Sequence, residues 1–322
     1  MTLEFEENNF LETGDIFAQH YRIIEKCKSI AKGQAYKAED TKSGKLVIVK
    51  ILCLKQPIDP VSRTRFYHKT GIACSFKHPN IIPLHNAGIL ENKTLYIVED
   101  YIEDCREYQT LALCINNDKQ DHLTTCWQEG VPIFRGVCLA LDHAHKRGLI
   151  HRDLNPRNII VSLDDKGELF AKVTNFSIPP FIGILPNEKT SFGDQQVFSD
   201  PAYMSPEQCR GIKADHLSDI YSLGCIMYEA FYGTPPIKGS NDLATIYMHV
   251  NNWPILPPEI ISYPPLPKYI EAIVVRCLDK EPRRRFPSAK AVLKELDCFC
   301  EWEKIRTSQP KWLRQLSQLV AH

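Results

Sequence analysis

The sequence predicts an α+β chain in which strands come first and helices follow, and three observations carry that reading. Between Tyr21 and Leu52, apolar residues fall in short strand-period runs separated by turn residues. From Trp127 to Arg147 the spacing becomes that of an amphipathic helix, with Val131, Phe134, Val137, Cys138 and Leu141 on one face. Between that helix and an apolar strand at Ile159 to Val161 stands His151-Arg152-Asp153-Leu154-Asn155-Pro156-Arg157-Asn158, in which a carboxylate is followed five residues later by an amide.

The strand runs are Tyr21 to Glu25, Gln34 to Glu39 and Leu46 to Leu52, and Asp40-Thr41-Lys42-Ser43-Gly44 supplies a hairpin turn between the last two. A helix is predicted over Val61 to Lys77, and a further strand at Leu95 to Val98. Residues 103 to 125 lack a clear period and read as a helix with a polar loop around Asn116-Asn117-Asp118. Residues 1 to 20 hold Glu4, Glu6, Glu7, Glu12 and Asp15 with no Lys or Arg, which predicts a solvated acidic extension. After Pro310, Trp312, Leu313, Leu316, Leu319 and Val320 line one face of an amphipathic tail.

Composition bounds the function. The 322 residues carry 39 basic and 39 acidic side chains, so no global charge points to nucleic acid or an anionic membrane. No apolar run approaches the ~20 residues needed to span a bilayer, and the N-terminus lacks a basic region followed by an apolar core. A soluble cytoplasmic protein is expected. The twelve cysteines include no C-x-x-C pair, only Cys298-Phe299-Cys300, and read as reduced apolar residues.

The eight-residue stretch fits the pattern H-R-D-L-x-x-x-N, in which the Asp takes a proton from a substrate hydroxyl and the Asn holds a metal on nucleotide phosphates. With Val47-Ile48-Val49-Lys50, His78-Pro79-Asn80 and Pro201-Ala202-Tyr203-Met204-Ser205-Pro206-Glu207, it resembles the serine/threonine branch of the protein kinase family. The resemblance runs from about Tyr21 to Phe299. It implies a bilobal fold: a β-rich small lobe over 21–99, a hinge over 100–104, a helical large lobe over 105–299, and a tail over 300–322.

Residue by residue, the resemblance implies Asp153 as catalytic base, Lys50 as the phosphate-pairing lysine, Asn158 and Asn175 at the metal positions, and Ile48 and Tyr101 beside the base. It implies structural roles for His151, Phe176, Glu207, Asp219 and Arg285. The departures cluster. Of the glycine-rich loop only Gly33 remains, with Lys28 and Ile30 at the other two positions. Ile48 replaces a small alanine, and overpacking of that kind costs about 1 to 3 kcal/mol when nothing moves. The helix carboxylate that should pair with Lys50 is Lys69, and no Asp or Glu lies between Asp59 and Glu91. Two lysines at ~4 Å would repel by about 4 kcal/mol at an effective dielectric of 20. Glu99, just before the hinge, is expected to supply the missing carboxylate to Lys50 or Lys69.

The transition-state lysine is Asn155, a loss of the kind commonly worth about 3 to 4 kcal/mol. The metal-holding Asp of D-F-G is Asn175, in Asn175-Phe176-Ser177. Asp200 is expected near Asp153, where it would repel that carboxylate or help to recruit a metal. Three functions stay open: a pseudokinase that regulates or scaffolds a protein partner, with ATP held weakly or without metal; a slow kinase acting on a protein substrate through Asp153 with magnesium or manganese; and another transfer from ATP, such as nucleotidylation.

Overall fold

The computed structural model describes residues 11–27, 33–54, 57–91, 93–102, 109–120, 126–163, 167–176, 200–255 and 266–308. Residues 16–100 build an antiparallel six-stranded sheet. The strands are β1 (Ile16–Phe17), β2 (Tyr21–Lys26), β3 (Gln34–Asp40), β4 (Leu46–Cys53), β5 (Leu84–Leu90) and β6 (Thr94–Asp100), in the order β1-β2-β3-β4-β6-β5. Alternation sets its two faces. Tyr36, Val47, Val49, Ile51 and Val98 form one buried layer, while Lys50 lies opposite Ile97, and Ile48 opposite Glu99, on the face toward the rest of the chain.

Leu11 and Phe17 pack into the outer layer at 6% and 1% exposure. The boundary placed at Tyr21 therefore moves back at least to Leu11. The acidic residues around them masked two apolar side chains with a sheet to cover. Residues 1–10, Lys28 and Ile30 lie outside the described residues, as does the amphipathic tail after Pro310.

Helix α1 (Pro60–Cys74) begins on Asp59, whose carboxylate accepts from the amides of Val61 and Ser62, with Pro60 preset for the first turn. It ends at Cys74, not Lys77. Phe76 instead turns inward, with its ring 5.9 Å from that of Phe176.

The large lobe is built on α2 (Leu111–Gln120), α3 (Trp127–His145), α4 (Pro206–Cys209), α5 (His216–Tyr232), α6 (Asp242–Asn251), α7 (Lys268–Cys277) and α8 (Ala289–Ser308). A second sheet joins β7 (Gln109–Thr110), β8 (Ile159–Leu163) and β9 (Leu169–Val173). The irregular stretch 103–125 thus contributes β7 and α2; residues 103–108 and 121–125 are not described. α8 runs unbroken through the boundary drawn at Phe299. Among the described residues no helix is long and apolar enough to cross a membrane.

Two polar anchors hold this lobe. Arg285, 2% exposed, meets Glu207 with both guanidinium nitrogens, at 2.8 and 2.9 Å, and Ser218 Oγ donates to the same carboxylate at 2.7 Å. Asp219 is wholly buried on α5. It accepts from the amides of His151 (2.9 Å) and Arg152 (2.8 Å) and pairs with His145 Nε2 at 2.7 Å. Burial alone would raise its pKa, but the bonds from His145 and the backbone hold it below the usual range. These bonds fix the loop that carries Asp153, and Arg152 keeps a left-handed backbone there (φ 66°).

Candidate active site

Where Glu99 points follows from strand register. Glu99 stands opposite Ile48, two residues along from the partner of Lys50 and on the same face, which is a diagonal separation that two long side chains can close. Lys50 Nζ lies 2.5 Å from Glu99 Oε2, 3.0 Å from Thr174 Oγ1 and 2.8 Å from Asn175 Oδ1. An ammonium has three protons, so these acceptors use all of them. Glu99 is 4% exposed. It also accepts from Thr174 Oγ1 at 2.6 Å and from the Asn175 amide at 3.2 Å.

From Lys50 a one-way relay of hydrogen bonds runs into the catalytic loop. Lysine only donates, so Asn175 must turn its oxygen toward it, leaving its Nδ2 to donate to Asn158 Oδ1 at 2.6 Å. Asn158 must then turn its own Nδ2 toward Asp153, reaching the main-chain oxygen at 2.7 Å and the carboxylate at 3.5 Å. The charges at the two ends fix both amide orientations, which side-chain shape alone leaves open.

The relay bears directly on a divalent cation. Magnesium is held through carboxylates and phosphate oxygens. Here both side chains are neutral amides, and the Asn158 oxygen that would face a metal already accepts an N–H. The residues fit such an ion poorly, because neither amide brings the negative charge that holds it.

Asn155 is buried and tied down: its Nδ2 donates to Asp153 O (3.0 Å) and Oδ1 (3.3 Å), and its oxygen caps the Arg157 amide. Asp200 caps the turn Pro201–Tyr203 and lies 3.7 Å from Arg157 Nη1. Its described partners are thus a guanidinium and a backbone amide. Asn155, Arg157, Asp200, Tyr203 and Lys238 border a cavity of about 460 Å³ beside the loop.

On the small-lobe side, Ile48 is half-buried between Lys37 on β3 and Glu99 on β6. Lys37 Nζ stands 4.3 Å above the ring of Tyr101 at the hinge. Gly33 takes φ 127°, and a Cβ there would lie 2.4 Å from the carbonyl oxygen of Ile51. The approach to β4 is enough to require glycine, with no phosphate in the argument. His151 Nε2 contacts the carbonyl of Thr174 at 2.9 Å, and its ring meets Phe176 at 4.8 Å. Burial first of all lowers the His151 pKa, so the ring is held neutral.

Thr174, Lys37 and Gln208, whose Nε2 holds the Arg152 carbonyl at 2.8 Å, were missed by sequence reasoning. Thr174 and Gln208 had a usable signal, since each adjoins a motif residue; Lys37 had none.

The sequence model of the protein kinase domain matches residues 29–296. The chain belongs to the protein kinase family. This kinase domain is 29% identical over 287 residues to the probable serine/threonine-protein kinase PknB of Lactococcus lactis, covering 89% of the chain and 43% of that protein. It is 30% identical over 266 residues to PknB of Mycobacterium tuberculosis, covering 82% of the chain and 40% of that protein. It therefore spans about two-fifths of the length of these curated relatives. The crystal structure of the M. tuberculosis PknI kinase domain superposes with a TM-score of 0.68 at 24% identity, over 89% of this chain and 99% of that one, which shows the shared fold.

Proposed function

We propose that this kinase domain is a pseudokinase, a binding and regulatory module for a protein partner whose cleft holds ATP weakly and without metal. The observation that carries the reading is the relay from Lys50 to Asp153. Lys50 has no proton left for a phosphate, and the amide group of Asn175 occupies the oxygen of Asn158. The partner is a protein, as for kinases generally, and the cavity beside Arg157 and Asp200 gives a partner segment a polar recess next to Asp153. The free cysteines among the described residues suit a reducing, cytoplasmic setting.

A slow serine/threonine kinase is the second reading, favoured by one arrangement. Asp153 is retained on a loop that Asp219 fixes through two backbone amides, so a base is in place if a nucleotide brings its own cation.

A thermal-shift titration separates the two. Binding to the folded state stabilises by RT ln(1 + [L]/Kd), about 2.7 kcal/mol at a 100-fold excess over Kd. The pseudokinase reading expects either no ATP or ADP shift, or one that is the same in EDTA and in magnesium. A shift that requires magnesium or manganese and disappears in Asn158→Ala would overturn it in favour of the kinase.

A further inference from the structure

Outside the relay, the fold brings three cations together and gives them no anion. Arg65 and Lys69 lie one turn apart on the same flank of α1. Arg152, on the loop before Asp153, stands beside them: its guanidinium and that of Arg65 both act on Lys69, and Arg65 acts on Arg152. Among the described residues none of the three side chains makes a hydrogen bond or an ion pair, and Arg152 Nε is buried without an acceptor. No carboxylate occurs from residue 60 to residue 90. The acids of the neighbouring elements are engaged elsewhere. Glu99 on β6 holds Lys50, Thr174 and the Asn175 amide. Asp219 on α5 holds His145 and the amides of His151 and Arg152, and the Asp153 carboxylate receives Asn155 and Asn158.

Of the three cations only Lys69 can shed its charge. A guanidinium stays protonated in proteins, whereas a buried lysine yields its proton to relieve like charges. Burial first, and then the guanidiniums of Arg152 and Arg65, push the Lys69 pKa down to about 8. A fraction of the side chain is therefore a free amine near neutral pH, and the residue is only half-buried, so a small solute reaches it. A free amine is a nucleophile, and arginine is the matched partner of a planar carboxylate.

We propose that Lys69 is a carbamylation site: its neutral amine adds to dissolved carbon dioxide, and the carbamate so formed is held by Arg65 and Arg152. The nitrogen lone pair forms the N–C bond, one C=O electron pair moves onto oxygen, and a proton leaves the nitrogen for solvent. No oxidant or reductant is needed. Two guanidiniums then flank an anion instead of a third cation, and α1 acquires the carboxylate that its sequence lacks. The site is independent of whether the cleft turns over ATP.

The full chain is equilibrated with carbon-13 bicarbonate, carbamates are trapped as ethyl esters with a trialkyloxonium salt, and the modified peptides are mapped by mass spectrometry. Label is expected on Lys69. Only the neutral amine reacts, so uptake rises as pH passes through about 8, whereas ordinary lysines, near about 10.4, follow at higher pH. Arg65→Gln, at an exposed position, is expected to weaken carbon dioxide uptake about tenfold by removing a charged hydrogen bond, and Lys69→Arg to abolish the label. Label on Lys69 no greater than on exposed lysines would overturn the proposal, and this is read on the wild type whether or not the variants fold. Inorganic phosphate is tested in parallel. A melting-temperature rise with phosphate that is lost in Arg65→Gln, with Lys69 unlabelled, would also overturn it, making the cluster a site for an external anion.

Discussion

Replacing Glu99 by Gln is expected to destabilise the protein by about 3 kcal/mol, because it strips the counter-charge from a largely buried ammonium. The exchange keeps the shape and changes the protons. Glu99 Oε1 accepts from the Asn175 amide, while Oε2 accepts from both Lys50 and Thr174. A glutamine has one oxygen and one NH2, so whichever way it turns, a donor faces a donor. Chemical denaturation at neutral pH measures the effect as a lower midpoint with an unchanged slope. A loss below about 1 kcal/mol would mean that the pair is solvated and weak. Lys50→Met placed in the Glu99→Gln background should recover part of the loss, since removing the stranded charge also removes its desolvation cost.

The second large effect is a gain. If the cleft works without metal, as proposed, Asn175→Asp is expected to confer metal dependence. Without metal the variant should be less stable by about 1 to 3 kcal/mol, the cost of leaving buried polar groups unmatched. The new carboxylate still accepts from Lys50 but has no proton for Asn158 Oδ1, so two oxygens face each other where an N–H···O bond stood. A divalent cation with ATP should then raise the melting temperature of the variant and not of the wild type, and EDTA should abolish the rise. If magnesium and manganese both leave Asn175→Asp unmoved, the amide relay is not what keeps metal out.

Much of this could be read from the sequence, and the remainder has physical causes. The strands flanking the Asp40–Gly44 turn and the helix before the catalytic loop follow from local periodicity, which neighbours along the chain determine. The substituted positions, Lys69, Asn155 and Asn175, were visible as residue types. The direction of the relay was not, because it depends on an ammonium and a carboxylate more than a hundred residues apart acting on two amides between them. Leu11 and Phe17 were hidden because two apolar side chains in an acidic stretch give no period, although a sheet face was there to receive them. Arg157 and Asp200 meet only after the large lobe has folded, so no local pattern in the sequence pairs them.

One backbone angle has a genetic consequence. Asn175 adopts the left-handed conformation, φ 67°, which asparagine and aspartate both enter more readily than most residues. Their codons differ only in the first base. A single transition can therefore exchange amide for carboxylate at this position without the main chain resisting in either direction. Whether a lineage carries the neutral or the acidic form is then decided by the hydrogen bonds and charges of the cleft, since the backbone angle itself accommodates both.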